Sequence, residues 1–139
     1  MKKQFSLIFL SVFFIGMVAG SPAWAEKPIK IAQLVCLTGA YEAYAKQAVE
    51  GFKLGIEYAT NGTFEVLGRP IEVILKDTQM KPEMGKQLLT AAYMDDKVDL
   101  AVGPVSSAVA MACLPVAKEF KKILIVEPAV ADSITGAAW

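Results

Sequence analysis

The alternation of short apolar runs with longer amphipathic runs is the feature that most restricts the fold of this chain. Beyond residue 25, runs rich in Ile, Val, Leu and Ala are separated by stretches whose apolar residues recur every three or four positions. Continuous apolar runs are typical of strands in a parallel sheet, and the second spacing is typical of helices that cover it. The sequence therefore predicts an α/β fold, a three-layer αβα arrangement with an open parallel sheet.

Four strands and three helices are predicted in strict alternation. The strands are predicted over residues 29–36, 71–76, 98–102 and 123–126. The helices are predicted over residues 42–60, from Pro82 onward, and over residues 106–119. Residues 133–139 are predicted as a loop, so no helix follows the fourth strand and one edge of the sheet is unfinished. We therefore expect residues 26–139 to be a partial lobe of a longer ligand-binding domain.

The first 25 residues have the pattern of a cleavable signal peptide. Lys2 and Lys3 precede an apolar run over residues 5–18 that is too short to span a bilayer, and Ala23-Trp24-Ala25 supplies small residues at the cleavage site. An uncleaved anchor or a buried core helix is the alternative, but Pro22 and the Ala-Trp-Ala pattern end the apolar run where a spanning helix would continue. We expect export to the periplasm, with no stable membrane insertion after cleavage.

Charge and motif content exclude several classes of function. Without Lys2 and Lys3, the chain has 12 Lys and Arg residues against 14 Asp and Glu residues. No basic surface is implied, so we expect no nucleic acid partner. The chain has no His, and it lacks a nucleophile elbow and a phosphate-binding loop, which argues against an enzyme. No acidic group has the spacing of a metal loop, so we expect no metal and no cofactor.

The two cysteines allow two interpretations in an exported chain. Cys36 and Cys113 could form a disulfide, or each could be a small buried apolar residue. Cys36 ends a predicted strand and Cys113 lies within a predicted helix among Ala and Met residues. We therefore favour two buried, unpaired thiols over a bridge.

A ligand site is expected where the carboxyl ends of the parallel strands meet, as in other open α/β sheets. The segment from Gly103 to Ser107 joins the third predicted strand to a helix. Free N–H groups and the positive end of the helix dipole at such a junction favour an anion. For Ser106 two roles remain open, because its hydroxyl is suited both to capping the helix and to contacting a ligand.

Several motifs occur in order along almost the whole mature chain. They are Ile29-Lys30-Ile31-Ala32, Leu37-Thr38-Gly39-Ala40 with Tyr44, Glu50-Gly51-Phe52, Asp77 with Pro82, Gly103 to Ser107, and Pro128-Ala129. As a set behind a signal peptide, they resemble the leucine/isoleucine/valine-binding proteins of branched-chain amino acid ABC transporters. The resemblance implies a two-lobed periplasmic binding protein that closes over its ligand, with this chain forming the first part of lobe one.

The resemblance also implies partners and roles for individual residues. The implied partners are a small carboxylate ligand, either an amino acid or an organic acid, and an ABC transporter permease. Ser107 would bind the ligand carboxylate through its hydroxyl and backbone N–H, and Val105 and Ser106 would line the same loop. Ala129 would offer backbone groups. Tyr44 would form an aromatic wall, with ordinary packing as its alternative.

Ala131 is a departure from the pattern of these binding proteins, which commonly have a Thr hydroxyl shortly after the Pro-Ala pair. Without that hydroxyl an α-ammonium group has one partner fewer, and an unpaired buried charge is costly. Branched-chain or other hydrophobic amino acids and amine-free aromatic or aliphatic acids therefore both remain open as ligands. A ligand-sensing domain of the same fold is the alternative to a transport protein, and an exported hydrolase is a third interpretation.

Overall fold

The computed structural model describes residues 26–136, in which helices flank a five-stranded, mostly parallel sheet. In chain order the elements are β1 Ile29–Val35, α1 Glu42–Ala59, β2 Glu65–Val66, β3 Arg69–Asp77, α2 Pro82–Met94, β4 Leu100–Val102, α3 Ser107–Phe120, β5 Ile123–Ile125 and a 3-10 helix Asp132–Ile134. The predicted α/β fold class is confirmed. The predicted signal peptide, residues 1–25, and the end of the predicted final loop, residues 137–139, lie outside the described residues.

The strands lie in the order β2-β3-β1-β4-β5, and the last four are parallel. In the register of the sheet, Val35 at the end of β1 lies beside Asp77 at the end of β3. Gln33 of β1 lies beside Val102 of β4, which in turn lies beside Ile125 of β5. The carboxyl ends of these strands therefore meet at one edge, as the predicted topology requires.

The short strand β2 was not predicted from the sequence. It forms an antiparallel hairpin with β3, so that β3 begins at Arg69 rather than at residue 71. The turn is tighter than predicted because Leu67 and Gly68 both adopt a positive φ, of 52° and 78°, which joins the two strands directly. Pro70 is compatible with this pairing because it lies near the start of its strand.

Several other predicted boundaries differ by one or two residues, among them those of β4 and β5. β4 begins at Leu100 rather than at residue 98, because the Val98 N–H donates to the Ala92 carbonyl at 3.1 Å and so does not join the sheet. β5 ends at Ile125, one residue earlier than predicted. Hydrogen bonds at the ends of elements are set by tertiary contacts, which the local sequence does not specify.

The main hydrophobic core lies between α2, α3 and one face of the sheet. It is built from Ala32, Leu34, Leu89, Ala92, Tyr93, Val98, Ala101, Val109, Cys113, Val116 and Ala117. α2 and α3 approach closely at Gly85, where a Cβ atom would lie 2.2 Å from Cγ1 of Val109. Only a residue without a side chain fits at this crossing.

Replacing Gly85 by Ala is therefore expected to destabilise the protein. The added methyl group overpacks the contact between α2 and α3, and we expect a loss of about 1–3 kcal/mol in the free energy of unfolding. Urea denaturation of the mature protein measures this loss. Lys86→Ala, an exposed position on the same helix, is the control and is expected to change stability by less than about 0.5 kcal/mol. Equal stability of the two variants would show that the helices can separate at no cost.

Cys36 and Cys113 are both buried and unpaired, which confirms the favoured interpretation. Burial raises the pKa of the Cys113 thiol to about 11. Burial, and to a smaller extent the negative charge of Asp77, also raises the pKa of Cys36. Both side chains are therefore neutral thiols at physiological pH and act as small apolar residues.

The face of the sheet on the α1 side is only partly covered. Ala45 is the one buried residue of α1, although the spacing of its apolar residues predicted a helix that covers the sheet. Ile123 and Ile125 of β5 are 62% and 50% exposed, and Val73 and Leu75 of β3 are also exposed. α1 therefore leaves much apolar sheet surface open to solvent. Within residues 26–136, no helix combines the length and apolar character needed to cross a bilayer.

Candidate ligand-binding site

A cavity of about 460 Å³ lies at the carboxyl edge of the sheet, where the ligand site was expected. The cavity is formed by the first turn of α1 and the loop before it, by the connection between β4 and α3, and by the loop after β5. Its lining residues are Tyr41, Tyr44, Val105, Ser106, Ser107, Ala108, Pro128 and Val130. None of these lining residues carries a charged side chain, so the polar groups of the cavity are hydroxyl and backbone groups.

Gly103 sets the direction in which the chain leaves β4 for α3. Its φ is +96°, and a Cβ atom at this position would lie 2.1 Å from the carbonyl oxygen of Leu34 in β1. Its N–H donates to the Ile125 carbonyl at 3.0 Å, which joins the ends of β4 and β5. A glycine is therefore required both by the backbone conformation and by the space available.

The N-terminus of α3 supplies free backbone donors to the cavity. The first helical hydrogen bond runs from the Ala110 N–H to the Ser106 carbonyl at 2.9 Å, so the N–H groups of the three preceding residues have no partner within the helix. Ser106 occupies the N-cap position, but its side chain makes no capping hydrogen bond. The capping role left open for Ser106 is thus not observed, and its largely buried side chain lines the cavity.

The Ser107 hydroxyl is oriented by the loop that follows β5. Its Oγ accepts a hydrogen bond from the Ala131 N–H at 3.3 Å. A hydroxyl that accepts one hydrogen bond still has its proton to donate, and it lies at the first residue of α3 beside the free N–H groups. This group of donors, at the positive end of a helix dipole, is suited to hold an oxyanion such as a carboxylate.

Tyr41 and Tyr44 form the aromatic side of the cavity. They are three positions apart at the start of α1, so they share one face of the helix. They are 44% and 64% exposed respectively. Within residues 26–136 the Tyr44 ring is not packed, and both rings border the cavity.

The structure brings together four of the six residues named from the sequence. Tyr44, Val105, Ser106 and Ser107 line one cavity. Ala129 is not among the lining residues, although its neighbours Pro128 and Val130 are. Ala131 takes part through its backbone N–H, which contacts Ser107.

Four lining residues were not predicted as site residues, namely Tyr41, Ala108, Pro128 and Val130. Pro128 was noted only as part of the Pro128-Ala129 motif. Tyr41 had a usable signal, because its spacing from Tyr44 places both rings on the same side of a predicted helix. Ala108 also had a usable signal, because it follows Ser107 in the first turn of α3, where the ligand site was predicted. Val130 had no signal, because its position depends on the path of the irregular loop after β5.

Comparison with known proteins identifies relatives of this chain. Residues 28–138 match the model of the periplasmic binding protein family. A branched-chain amino acid ABC transporter protein from Rhodopseudomonas palustris is 58% identical, with a TM-score of 0.79 over 80% of this chain and 30% of that chain. No curated protein gave a significant match.

Two other solved structures contain ligands. A solute-binding protein of an ABC transporter from Rhodopseudomonas palustris, in complex with 3,4-dihydroxybenzoic acid, is 33% identical with a TM-score of 0.71 over 78% of this chain and 29% of that chain. The LivJ substrate-binding protein from Streptococcus pneumoniae, in complex with isoleucine, is 26% identical with a TM-score of 0.72 over 80% of this chain and 32% of that chain.

This chain spans about 30% of the length of these solved relatives. The family match covers nearly all of the described residues, and the solved relatives share the α/β sheet described above. The resemblance inferred from the sequence motifs is thereby confirmed. With this match and this fold, the chain belongs to the periplasmic binding protein family.

Proposed function

We propose that residues 26–139 form the first part of lobe one of a periplasmic solute-binding protein that delivers a small carboxylate to an ABC importer. The observation that carries this proposal is the N-terminus of α3, where the Ser107 hydroxyl and uncapped N–H groups border a cavity flanked by two tyrosines. Such a site supplies donors without a general base or a nucleophile that is activated by one. It supports binding rather than a chemical reaction.

The partly covered sheet supports the proposal that this chain is one part of a longer lobe. Ile123 and Ile125 of β5 expose apolar surface on the side of the sheet where α1 is the one helix among the described residues. The glycine-containing face of α1, with Gly51 and Gly55, is also open. Solved relatives are about three times as long, which leaves ample chain to cover these surfaces.

Closure of a second lobe over the cavity is the mechanism that we propose for binding. Tyr41, Tyr44 and Val130 form an exposed apolar rim around the donors of α3. A ligand that contacts both lobes shifts the equilibrium from the open toward the closed state, and the closed state is the form that the permease recognises. Covering the rim excludes water and strengthens the hydrogen bonds to the ligand carboxylate.

The ligand is proposed to be a branched-chain or other hydrophobic amino acid, or a related small carboxylate. The two solved relatives described above contain isoleucine and 3,4-dihydroxybenzoic acid, which share a carboxylate and an apolar body. The described lining residues offer donors for the carboxylate and no acidic side chain for an ammonium group. Because Ala131 has no side-chain hydroxyl for an ammonium group, an amine-free acid is the alternative ligand, and a sensing domain with that ligand is the alternative function.

The localisation of the mature protein follows from the family and from the sequence pattern of residues 1–25. Periplasmic binding proteins act in the periplasm, and we propose that the leader is cleaved after Ala25 to release the mature chain there. The proposed partners are therefore the carboxylate ligand and the permease of the importer.

A thermal-shift screen of the full-length mature protein tests the proposed function. The probes are leucine, its amine-free analogue 4-methylpentanoate, and its carboxylate-free analogue 3-methylbutylamine, with phenylalanine, 3-phenylpropanoate and 3,4-dihydroxybenzoate beside them. A ligand at about 100 times its Kd stabilises the folded state by about 2.7 kcal/mol, so the melting temperature of the protein rises measurably. We expect shifts with carboxylates and none with 3-methylbutylamine. A shift with the amine, or none with any carboxylate, would contradict a carboxylate-binding function.

A further inference from the structure

Asp77 connects the two loops that leave the sheet at β1 and β3. It is the last residue of β3 and lies beside Val35, the last residue of β1. Its Oδ1 accepts the Leu37 N–H at 2.9 Å and the Gln79 N–H at 3.1 Å. Its Oδ2 accepts the Thr38 hydroxyl at 3.4 Å. One carboxylate therefore receives hydrogen bonds from both loops.

The loop held by Asp77 leads directly into the tyrosine side of the cavity. Tyr41 ends this loop at the N-cap of α1, and Tyr44 follows in the first turn. α1 also contacts the sheet through Ala45, which is buried with Val35 and Cys36 and has Val49 packed beside it, and through a hydrogen bond from the Gln33 amide to the Ala48 carbonyl at 3.3 Å. Ala45 fixes the buried side of the first turn, and the loop before it sets the exposed side, where Tyr41 and Tyr44 lie.

We propose that Asp77 is a positioning residue for the ligand site, which fixes the β1–α1 loop and thereby places Tyr41 and Tyr44 against the ligand. This inference rests on the proposed binding function. Hydrogen bonds from backbone N–H groups to a carboxylate are stronger than bonds between neutral groups, so Asp77 is well suited to hold a loop. Asp77 is not a lining residue of the cavity and acts on the ligand through the tyrosines.

Neighbouring Thr78 provides a matched control. Its buried hydroxyl donates to the Val35 carbonyl at 2.8 Å, and its N–H donates to the same carbonyl at 2.7 Å. These bonds join the ends of β1 and β3 and do not reach the loop that carries Tyr41. Thr78→Val is therefore expected to lower the melting temperature while leaving the Kd for a ligand within about twofold of the wild-type value.

Calorimetric titration of the full-length mature protein with isoleucine and with 3,4-dihydroxybenzoate tests the proposal. Asp77→Ala is expected to raise the Kd of the probe that binds by about tenfold or more. Asp77→Asn keeps an oxygen that accepts the Leu37 and Gln79 N–H groups, and is expected to bind within about threefold of wild type. Asp77→Glu keeps the charge but moves the carboxylate by one methylene group, so it is expected to weaken binding. This variant tests the proposal if Asp77→Ala does not fold.

A double-mutant cycle separates positioning from a general loss of stability. In a background of Tyr41→Ala and Tyr44→Ala, Asp77→Ala is expected to raise the Kd by less than about twofold, because the rings through which it acts are absent. If Asp77→Ala raised the Kd as much in that background as in the wild type, the positioning role of Asp77 would be overturned. Wild-type affinity in both Asp77→Ala and Asp77→Glu would also overturn it, and neither result would affect the proposed function. If neither probe binds the wild-type protein, the same titrations use the carboxylate that gives the largest thermal shift. If no carboxylate binds, the proposed function is overturned, and the inference with it.

Discussion

Replacing Gly103 by Ala is expected to destabilise the protein more than replacing Gly85 by Ala. The new Cβ atom would lie 2.1 Å from the Leu34 carbonyl oxygen, and the backbone would have to keep a φ of +96°, which is unfavourable for alanine. Relief of the clash separates β4 from β1 and breaks the hydrogen bond from the Gly103 N–H to Ile125. We expect a loss of at least about 3 kcal/mol in the free energy of unfolding.

Gly62→Ala is the matched control for this prediction. Gly62 also has a positive φ, of 78°, but no heavy atom lies within 4 Å of the position that its Cβ would occupy. Its substitution therefore measures the conformational cost alone, which is expected to be about 1–2 kcal/mol. Urea denaturation of both variants gives the difference. If the two substitutions lowered the free energy of unfolding equally, the close approach of Gly103 to β1 would not constrain the connection between β4 and α3.

Replacing Ser107 by Ala is expected to have the largest effect on ligand binding. The change removes a hydroxyl donor to the carboxylate and leaves the Ala131 N–H without its acceptor. A hydrogen bond to a charged group is worth about 1.5–3 kcal/mol, so the Kd is expected to rise by about tenfold to a hundredfold. Ser107→Thr keeps the hydroxyl and is expected to retain most of the affinity. Calorimetric titration with the acid that gives the strongest thermal shift measures both variants.

Ser133→Ala is the control for the loss of a hydroxyl near the same loop. Ser133 is exposed and its hydroxyl contacts the sulfur of Met111, outside the lining of the cavity. Its substitution is expected to leave the Kd unchanged. If Ser107→Ala bound as tightly as Ser133→Ala, the start of α3 would not be the carboxylate site.

The order of the elements could be predicted from the sequence because strands and helices differ in the spacing of their apolar residues. The apolar run at the start of the mature chain and the spacing of Leu89, Ala92 and Tyr93 predicted a strand and a buried helix face, and both are present. The position of the site followed from the topology, since parallel strands place their carboxyl ends at one edge.

The features that sequence reasoning missed depend on contacts between distant residues. The hairpin of β2 and β3 depends on a positive φ at Leu67, a residue with no local preference for that conformation. The poor burial of α1 depends on how much chain covers the same side of the sheet. The hydrogen bond from the Ala131 N–H to Ser107 joins residues 24 positions apart, so no local pattern marks it.

A crystal structure of the full-length mature protein with its bound acid would test the central claim most directly. The account predicts that a carboxylate oxygen lies within about 3.2 Å of the Ser107 hydroxyl and of a backbone N–H in the first turn of α3, with the body of the ligand against Tyr41 and Tyr44. A carboxylate bound elsewhere, with the start of α3 facing only solvent in the closed protein, would contradict it.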